Sequence, residues 1–348
     1  MLKTITSRAP TRIDLAGGTL DLWPIYLMVP EAKTINLSID LIAETTLTPR
    51  PDSRITLRSR DQNQEITVPL SELNTYAPHP QLELHTKLLN HIFSAHPPET
   101  GFTLETFAQS PSGAGLGGSS TLSISLLGAL ETFRDGLTET PVNERLTKIA
   151  RDVESTVIKV PAGLQDYYGA LYGGLQVLTW GVAQHNHERL LDPIREFVAK
   201  DLILFYSGKS RNSGINNWSV YKSYLDQDHK MIECLHEIAS ATKQVEEALR
   251  SLDTKKLSLA IQAEWRARKR LALGITTDEI DQALALAATK GALAGKVCGA
   301  GGGGCFFVYA PELDQSAKQV LVSEVIAIEG IRHLPFHSTE KGLEVSTT

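Results

Sequence analysis

The 348-residue chain has three cysteines, Cys234, Cys298 and Cys305, and no Cys-x-x-Cys pair. That excludes a disulfide framework and the common zinc spacings, and it suits reduced thiols in a cytoplasmic protein. No apolar run is long enough to cross a bilayer. The opening residues Met1 to Arg8 lack the apolar core of a signal peptide. There is no excess of basic charge: 34 Lys and Arg stand against 40 Asp and Glu, a formal net charge of -6. A general nucleic-acid binder would show a basic face, so neither nucleic acid nor membrane is an expected partner. Internal repeats are absent, and only glycine runs are of low complexity.

What remains is a chain long enough for about two domains of ~150 residues each. Alternating β-branched segments, Lys33–Thr48 and Ser53–Ser59, read as strands, as does Phe102–Phe107. Leu122, Leu126, Leu127, Leu130 and Phe133 then recur at helical spacing. Thr140 and Pro141 suit the start of a second helix with the stripe Val142, Leu146, Ile149 and Val153. Gly173–Trp180 and Asp201–Tyr206 read as strands, and long helices are predicted over roughly 213–250, 254–273 and 277–290. A strand at Cys305–Tyr309, a helix near 312–328 and a strand near 330–337 close the chain. Without strict β-α alternation, the pattern predicts an α+β fold. The polar stretch Gln184–Arg189 is the expected boundary between domains 1–185 and 190–348.

The densest signal is Pro111-Ser-Gly-Ala-Gly-Leu-Gly-Gly-Ser-Ser120, with four glycines and three serines between a strand and a helix. Backbone N–H groups and a helix N-terminus there would hold an anion, most simply a phosphate. A Walker loop needs a lysine directly after its last glycine, and here Ser119 and Ser120 follow Gly118. A dinucleotide fingerprint needs an acidic residue at the end of a second strand; Glu131 and Asp135 fall in a helical pattern. What is left is a nucleoside triphosphate loop whose hydroxyls hold Mg²⁺ or phosphate oxygens in place of a lysine, or a glycine-rich turn with no ligand, which would carry the entropic cost of four glycines.

This stretch resembles the second motif of the GHMP kinase superfamily, Pro-x-x-x-Gly-Leu-Gly-Ser-Ser-Ala, with one glycine placed before the serines and Thr121 at the end. The departure resembles the sugar-kinase branch near D-glycero-D-manno-heptose 7-phosphate kinase. Arg8–Asp21 is similar to the first motif and Lys296–Cys305 to the third, so the resemblance spans nearly the whole chain in the family's order. It implies an N-terminal ribosomal-protein-S5-like domain and a C-terminal ferredoxin-like α/β sandwich.

The resemblance also implies roles. Pro111, Gly113, Ala114, Gly115, Leu116, Gly117, Gly118, Ser119 and Ser120 would bind ATP. Asp166, in a glycine-bearing loop before a strand, would orient or deprotonate the acceptor hydroxyl. Arg12 would stabilise the transferring phosphoryl group and keep Asp166 ionised. Glu154 would hold Mg²⁺ with Ser120 or Ser119. Gly17, Gly18, Thr19 and Asp21 would form the substrate wall, with Asp21 on sugar hydroxyls. Gly301 and Gly302 would close the site by backbone shape, and Lys209 and Arg211 would grip the substrate. The flanking Cys298 and Cys305 are expected to be small buried residues.

The expected activity is ATP- and Mg²⁺-dependent phosphorylation of a small-molecule hydroxyl, most specifically the anomeric hydroxyl of a heptose 7-phosphate or a fucose-like sugar. The alternatives are a mevalonate-type kinase and a non-catalytic sensor of sugar and ATP on the same fold. A cytoplasmic monomer or homodimer is expected.

Overall fold

The computed structural model describes residues 3–73, 80–136, 144–182, 184–210 and 213–348. The expected helix start at Thr140 and Pro141, and the candidate Arg211, lie outside those residues. The strands are β1 Ile5–Ala16, β2 Lys33–Pro49, β3 Arg54–Ser59, β4 Gln64–Pro69, β5 Phe102–Ala108, β6 Leu175–Thr179, β7 Asn186–Arg189, β8 Leu202–Tyr206, β9 Ala294–Val297, β10 Cys305–Tyr309, β11 Arg332–His333 and β12 Glu344–Thr347. The helices are α1 Ile25–Met28, α2 Glu83–Phe93, α3 Gly118–Asp135, α4 Glu144–Ile158, α5 Gln165–Tyr172, α6 Asp192–Ala199, α7 Ser213–Leu225, α8 His229–Arg250, α9 Thr254–Arg268, α10 Asp278–Thr289 and α11 Gln315–Val325. None of these helices is long and apolar enough to cross a membrane.

Two sheets organise the α+β fold. The larger runs β12-β1-β2-β5-β3-β4, with β6 beside β2 and β7 beside β6. The smaller is antiparallel, in the order β11-β8-β10-β9. The long strand β2 forks the larger sheet: Ala43–Pro49 pair with β5, while Lys33–Leu37 pair with β6. Across from the fork, the β1–β2 register slips between Pro10 and Thr11. Pro10 has no N–H to donate to the ladder, and bulges bend a strand at such points. The bend sits two residues before Arg12. Beyond it, the Arg12 N–H leaves the sheet and donates to the Leu116 carbonyl at 3.1 Å.

Helix α3 packs on β1 and β2 and touches α2, α4 and α5. Residues Ser120 to Leu130 are all buried, so the leucine stripe widens into a central helix covered all round. Its polar residues are paired: the Ser125 hydroxyl donates to the Ser7 carbonyl at 3.0 Å and meets Thr45 at 2.8 Å.

Several sequence expectations shift. The polar stretch placed at the domain boundary carries β7, so the larger sheet continues to Arg189, and β12 returns the chain terminus to the same sheet. The helix predicted over 213–250 is two helices, because the Asp228 carboxylate caps a new start by accepting the Lys230 N–H at 2.9 Å. The last predicted strand shrinks to Arg332–His333.

Candidate active site

The glycine-serine loop leaves β5 and enters α3, whose first N–H groups have no partners within the helix and face a cavity. Pro111, Gly113, Ala114, Gly115, Gly117, Gly118, Ser119 and Ser120 line that cavity, whereas Leu116 turns away and is fully buried in the core. Gly117 is the N-cap of α3 with φ of 75°. A Cβ there would lie 3.0 Å from Asp166 carbons, so both the backbone angle and the close approach call for glycine.

Asp166 is not in a loop: it sits in the first turn of α5, where the helix dipole favours a carboxylate. Nε and Nη2 of Arg12 both donate to its Oδ1, Nε at 2.8 Å, and Nη1 of Arg12 donates to the Gly115 carbonyl at 2.8 Å. One buried guanidinium thus ties β1, the phosphate loop and α5 together. Burial alone would lower its proton affinity, but Asp166 and Asp14 raise it, so Arg12 stays charged.

Across the loop, Glu154 of α4 is buried at 6% exposure. Its Oε1 accepts the Ser119 hydroxyl at 2.5 Å; its Oε2 accepts Ser120 at 2.9 Å and the Tyr167 hydroxyl at 2.6 Å. Burial pushes its carboxyl up, and the three hydroxyls hold it down in part. Tyr167 has no signal in sequence, since its partner lies 13 residues back on another helix. A carboxylate with hydroxyl oxygens beside a phosphate cradle is a hard-oxygen donor set of the kind Mg²⁺ takes together with phosphates and water.

Asp21 is also buried and lines the cavity, accepting the Gln165 N–H at 3.1 Å. Burial, then the nearby Asp166 charge, pushes its carboxyl up to about 6. Gly163 lets it approach: a Cβ there would stand 2.3 Å from Asp21 Oδ2. Thr19 lines the same wall with φ of 80°, a strained angle for a β-branched residue.

Other candidates fall outside the cavity lining. Gly17 and Gly18 lie behind the wall, the first donating its N–H to Glu264 and the second giving its carbonyl to Arg268. From the third glycine run, Gly299 and Ala300 line the cavity in place of Gly301 and Gly302; the Gly302 N–H is committed to the Ile275 carbonyl at 2.7 Å. Lys209 is exposed and paired with Glu279 at 2.7 Å, and its backbone carbonyl accepts the Gly304 N–H of the glycine run. Cys298 and Cys305 are buried, as expected. Sequence reasoning also missed a second face of the cavity, where Asp61, Gln62, Gln81 and His85 come from the β3–β4 turn and the start of α2.

Behind the site lies a charged cluster, two of whose members, Asp14 and Lys296, fall within the first and third motifs. Asp14 of β1, Glu264 and Arg268 of α9, and Lys296 of β9 are all at most 1% exposed. Lys296 Nζ lies 3.1 Å from Glu264 Oε1 and 3.6 Å from Asp14 Oδ1. The cluster joins the two sheets beneath the cavity.

Residues 83–174 match the sequence model of the GHMP kinases N terminal domain, and 245–323 that of the GHMP kinases C terminal. The chain is 28% identical to a D-glycero-alpha-D-manno-heptose 7-phosphate kinase of Campylobacter jejuni, over 99% of both chains. It is 27% identical to a mevalonate kinase of Thermococcus onnurineus, over 70% of this chain and 69% of the relative. The fold superposes on Lactococcus lactis galactokinase complexed with galactose at a TM-score of 0.74 and 16% identity, covering 98% and 95% of the two chains. With the models of both GHMP kinase domains matched in order, the first of them containing the phosphate cradle, the protein belongs to the GHMP kinases and is a small-molecule kinase.

Proposed function

We propose that the protein transfers the γ-phosphoryl group of ATP to a hydroxyl of a sugar, most specifically the anomeric hydroxyl of a heptose phosphate or a fucose-like pyranose. One observation carries the reading. The Arg12–Asp166 pair and the Glu154–serine cluster both line the cavity at the loop that opens α3. A phosphoryl group seated on that helix N-terminus would lie between a carboxylate able to orient an acceptor and a carboxylate able to hold a cation.

The chain's own residues supply positioning and charge. Arg12 occupies Asp166 Oδ1, which leaves Oδ2 to accept the proton of the acceptor hydroxyl. The Nη1 contact with Gly115 keeps the guanidinium beside the transferring group, where it offsets developing negative charge. Asp21 would accept hydrogen bonds from neighbouring sugar hydroxyls. Glu154 with Ser119 or Ser120 would hold Mg²⁺, which supplies neutralisation of the phosphate charge when bound. Similarity to the heptose phosphate kinase at 28% identity over 99% of both chains, against 24% for a mevalonate kinase matched over 98% of both, favours a sugar acceptor.

The test is ADP release from ATP and Mg²⁺ with a panel of free sugars, heptose and other sugar phosphates, mevalonate and homoserine. Turnover with a sugar that is lost in Asp166→Asn supports the reading. Turnover with mevalonate alone refutes the sugar assignment. Tight binding of ATP and a sugar with no ADP formed would make the protein a sensor.

A further inference from the structure

The hydrogen bonds around Glu154 can be counted. A carboxylate offers four lone-pair sites, two on each oxygen. Ser120 and Tyr167 fill both sites on Oε2, at 2.9 and 2.6 Å, and Ser119 fills one on Oε1. Among the described residues that leaves one site, on Oε1. Tyr167 is fully buried in α5, and packing of that helix against α3 and α4 holds its ring in place. Its hydroxyl therefore does not swing away to release the carboxylate. Ser120 is buried as well, in the first turn of α3.

A dication meeting this carboxylate finds one oxygen, not two. That matters for which dication it is. Mg²⁺ is small and octahedral and takes carboxylates one oxygen at a time, completing its shell with water and phosphate. Ca²⁺ is larger, takes six to eight oxygens and gains from two-oxygen chelation. We propose that Tyr167, acting with Ser120, is a positioning residue that makes Glu154 a one-oxygen ligand and so biases the site toward Mg²⁺ over Ca²⁺. The inference rests on Glu154 being the metal-holding carboxylate of the proposed kinase site.

The experiment is calorimetric titration of the full-length protein, saturated with a non-hydrolysable ATP analogue, with MgCl₂ and separately with CaCl₂. The quantity read is the ratio of the two dissociation constants. Tyr167→Phe removes only the hydroxyl and opens the second oxygen. It is expected to shift the ratio toward Ca²⁺ by roughly tenfold, the scale of one charge-assisted hydrogen bond. Ser120→Ala opens the same oxygen from the other side and is expected to shift the ratio in the same direction, so it decides the matter if the tyrosine variant does not fold. A general loss of packing would weaken both metals together and leave the ratio in place. An unchanged ratio in the folded variants overturns the inference. Loss of both metals in Ser120→Ala would put Ser120 on the metal and overturn it as well. Glu154→Gln tests the underlying site separately: it should weaken both metals, and unchanged binding of both would remove Glu154 from the site whatever Tyr167→Phe does.

Discussion

Replacing Asp21 by Asn should stabilise the free protein at alkaline pH and scarcely at all in acid. Asp21 is 3% exposed, and its carboxyl is raised from an ordinary value of 3.8 to about 6, by burial first and by the Asp166 charge second. Its acceptance of the Gln165 N–H works in the opposite direction and is outweighed. Because the folded value lies above the unfolded one, the native state binds more protons between those two pH values. Stability therefore falls as pH rises through the window from 3.8 to about 6, and stays at the lower level above it. At about 1.4 kcal/mol per tenfold change in proton affinity, the ionised carboxylate costs the native state about 3 kcal/mol at neutral pH. Asparagine keeps an oxygen for the Gln165 N–H and carries no charge, so it should recover most of that. The assay is urea unfolding of nucleotide-free wild type and Asp21→Asn at about pH 4 and about pH 8. The gap should be under about 1 kcal/mol at the lower pH and about 3 kcal/mol at the higher one. A gap independent of pH, or a less stable variant at the higher pH, would refute the reasoning. On the proposed function the same variant also raises KM for the sugar, the pattern of a site residue kept at a cost in stability.

Glu154→Gln should raise the Mg²⁺ concentration needed for half-maximal turnover while ATP saturation at high Mg²⁺ changes less; an unchanged Mg²⁺ dependence would count against the assigned role. Arg12→Lys loses the two-nitrogen grip on Asp166 and should lower kcat by roughly a hundredfold with a smaller change in sugar KM, read from steady-state kinetics. Gly117→Ala puts a Cβ against Asp166 at a left-handed φ; kcat/KM should fall sharply while the melting temperature drops by only the few degrees that about 1 kcal/mol implies. Lys296→Met leaves Asp14 and Glu264 as buried carboxylates with one cation fewer, and should cost about 3–5 kcal/mol in a urea titration.

The motif at Pro111–Ser120 was legible because its chemistry is local. Glycine spacing, a preceding alternating strand and a following leucine stripe are short-range signals, and they put the loop between β5 and α3, where it is found. The bond between Glu154 and the serines was legible only through resemblance, since 34 and 35 residues separate the partners. Asp166 was misplaced into a loop because α5 spans only Gln165–Tyr172, too short for a periodic pattern. The polar stretch 184–189 was read as a boundary because edge strands such as β7 carry polar residues that look like linker. Gly301, Gly302 and Lys209 were credited to the cavity because a motif states proximity in sequence, while lining depends on which way each backbone segment turns.

By itself the sequence determined a phosphate cradle without a lysine, hydroxyls directly after it, and glycines that admit close approach. Those follow from residue type and short spacing, which survive any arrangement of the rest of the chain. Only the tertiary structure decided that Arg12, 154 residues from Asp166 in sequence, meets it. It also decided that Asp21 is buried enough to hold its proton to about 6, and that Tyr167 closes one oxygen of Glu154. Each of these is a matter of burial and direction set by packing between elements distant in the chain. The pattern of residues along one stretch carries no record of such packing.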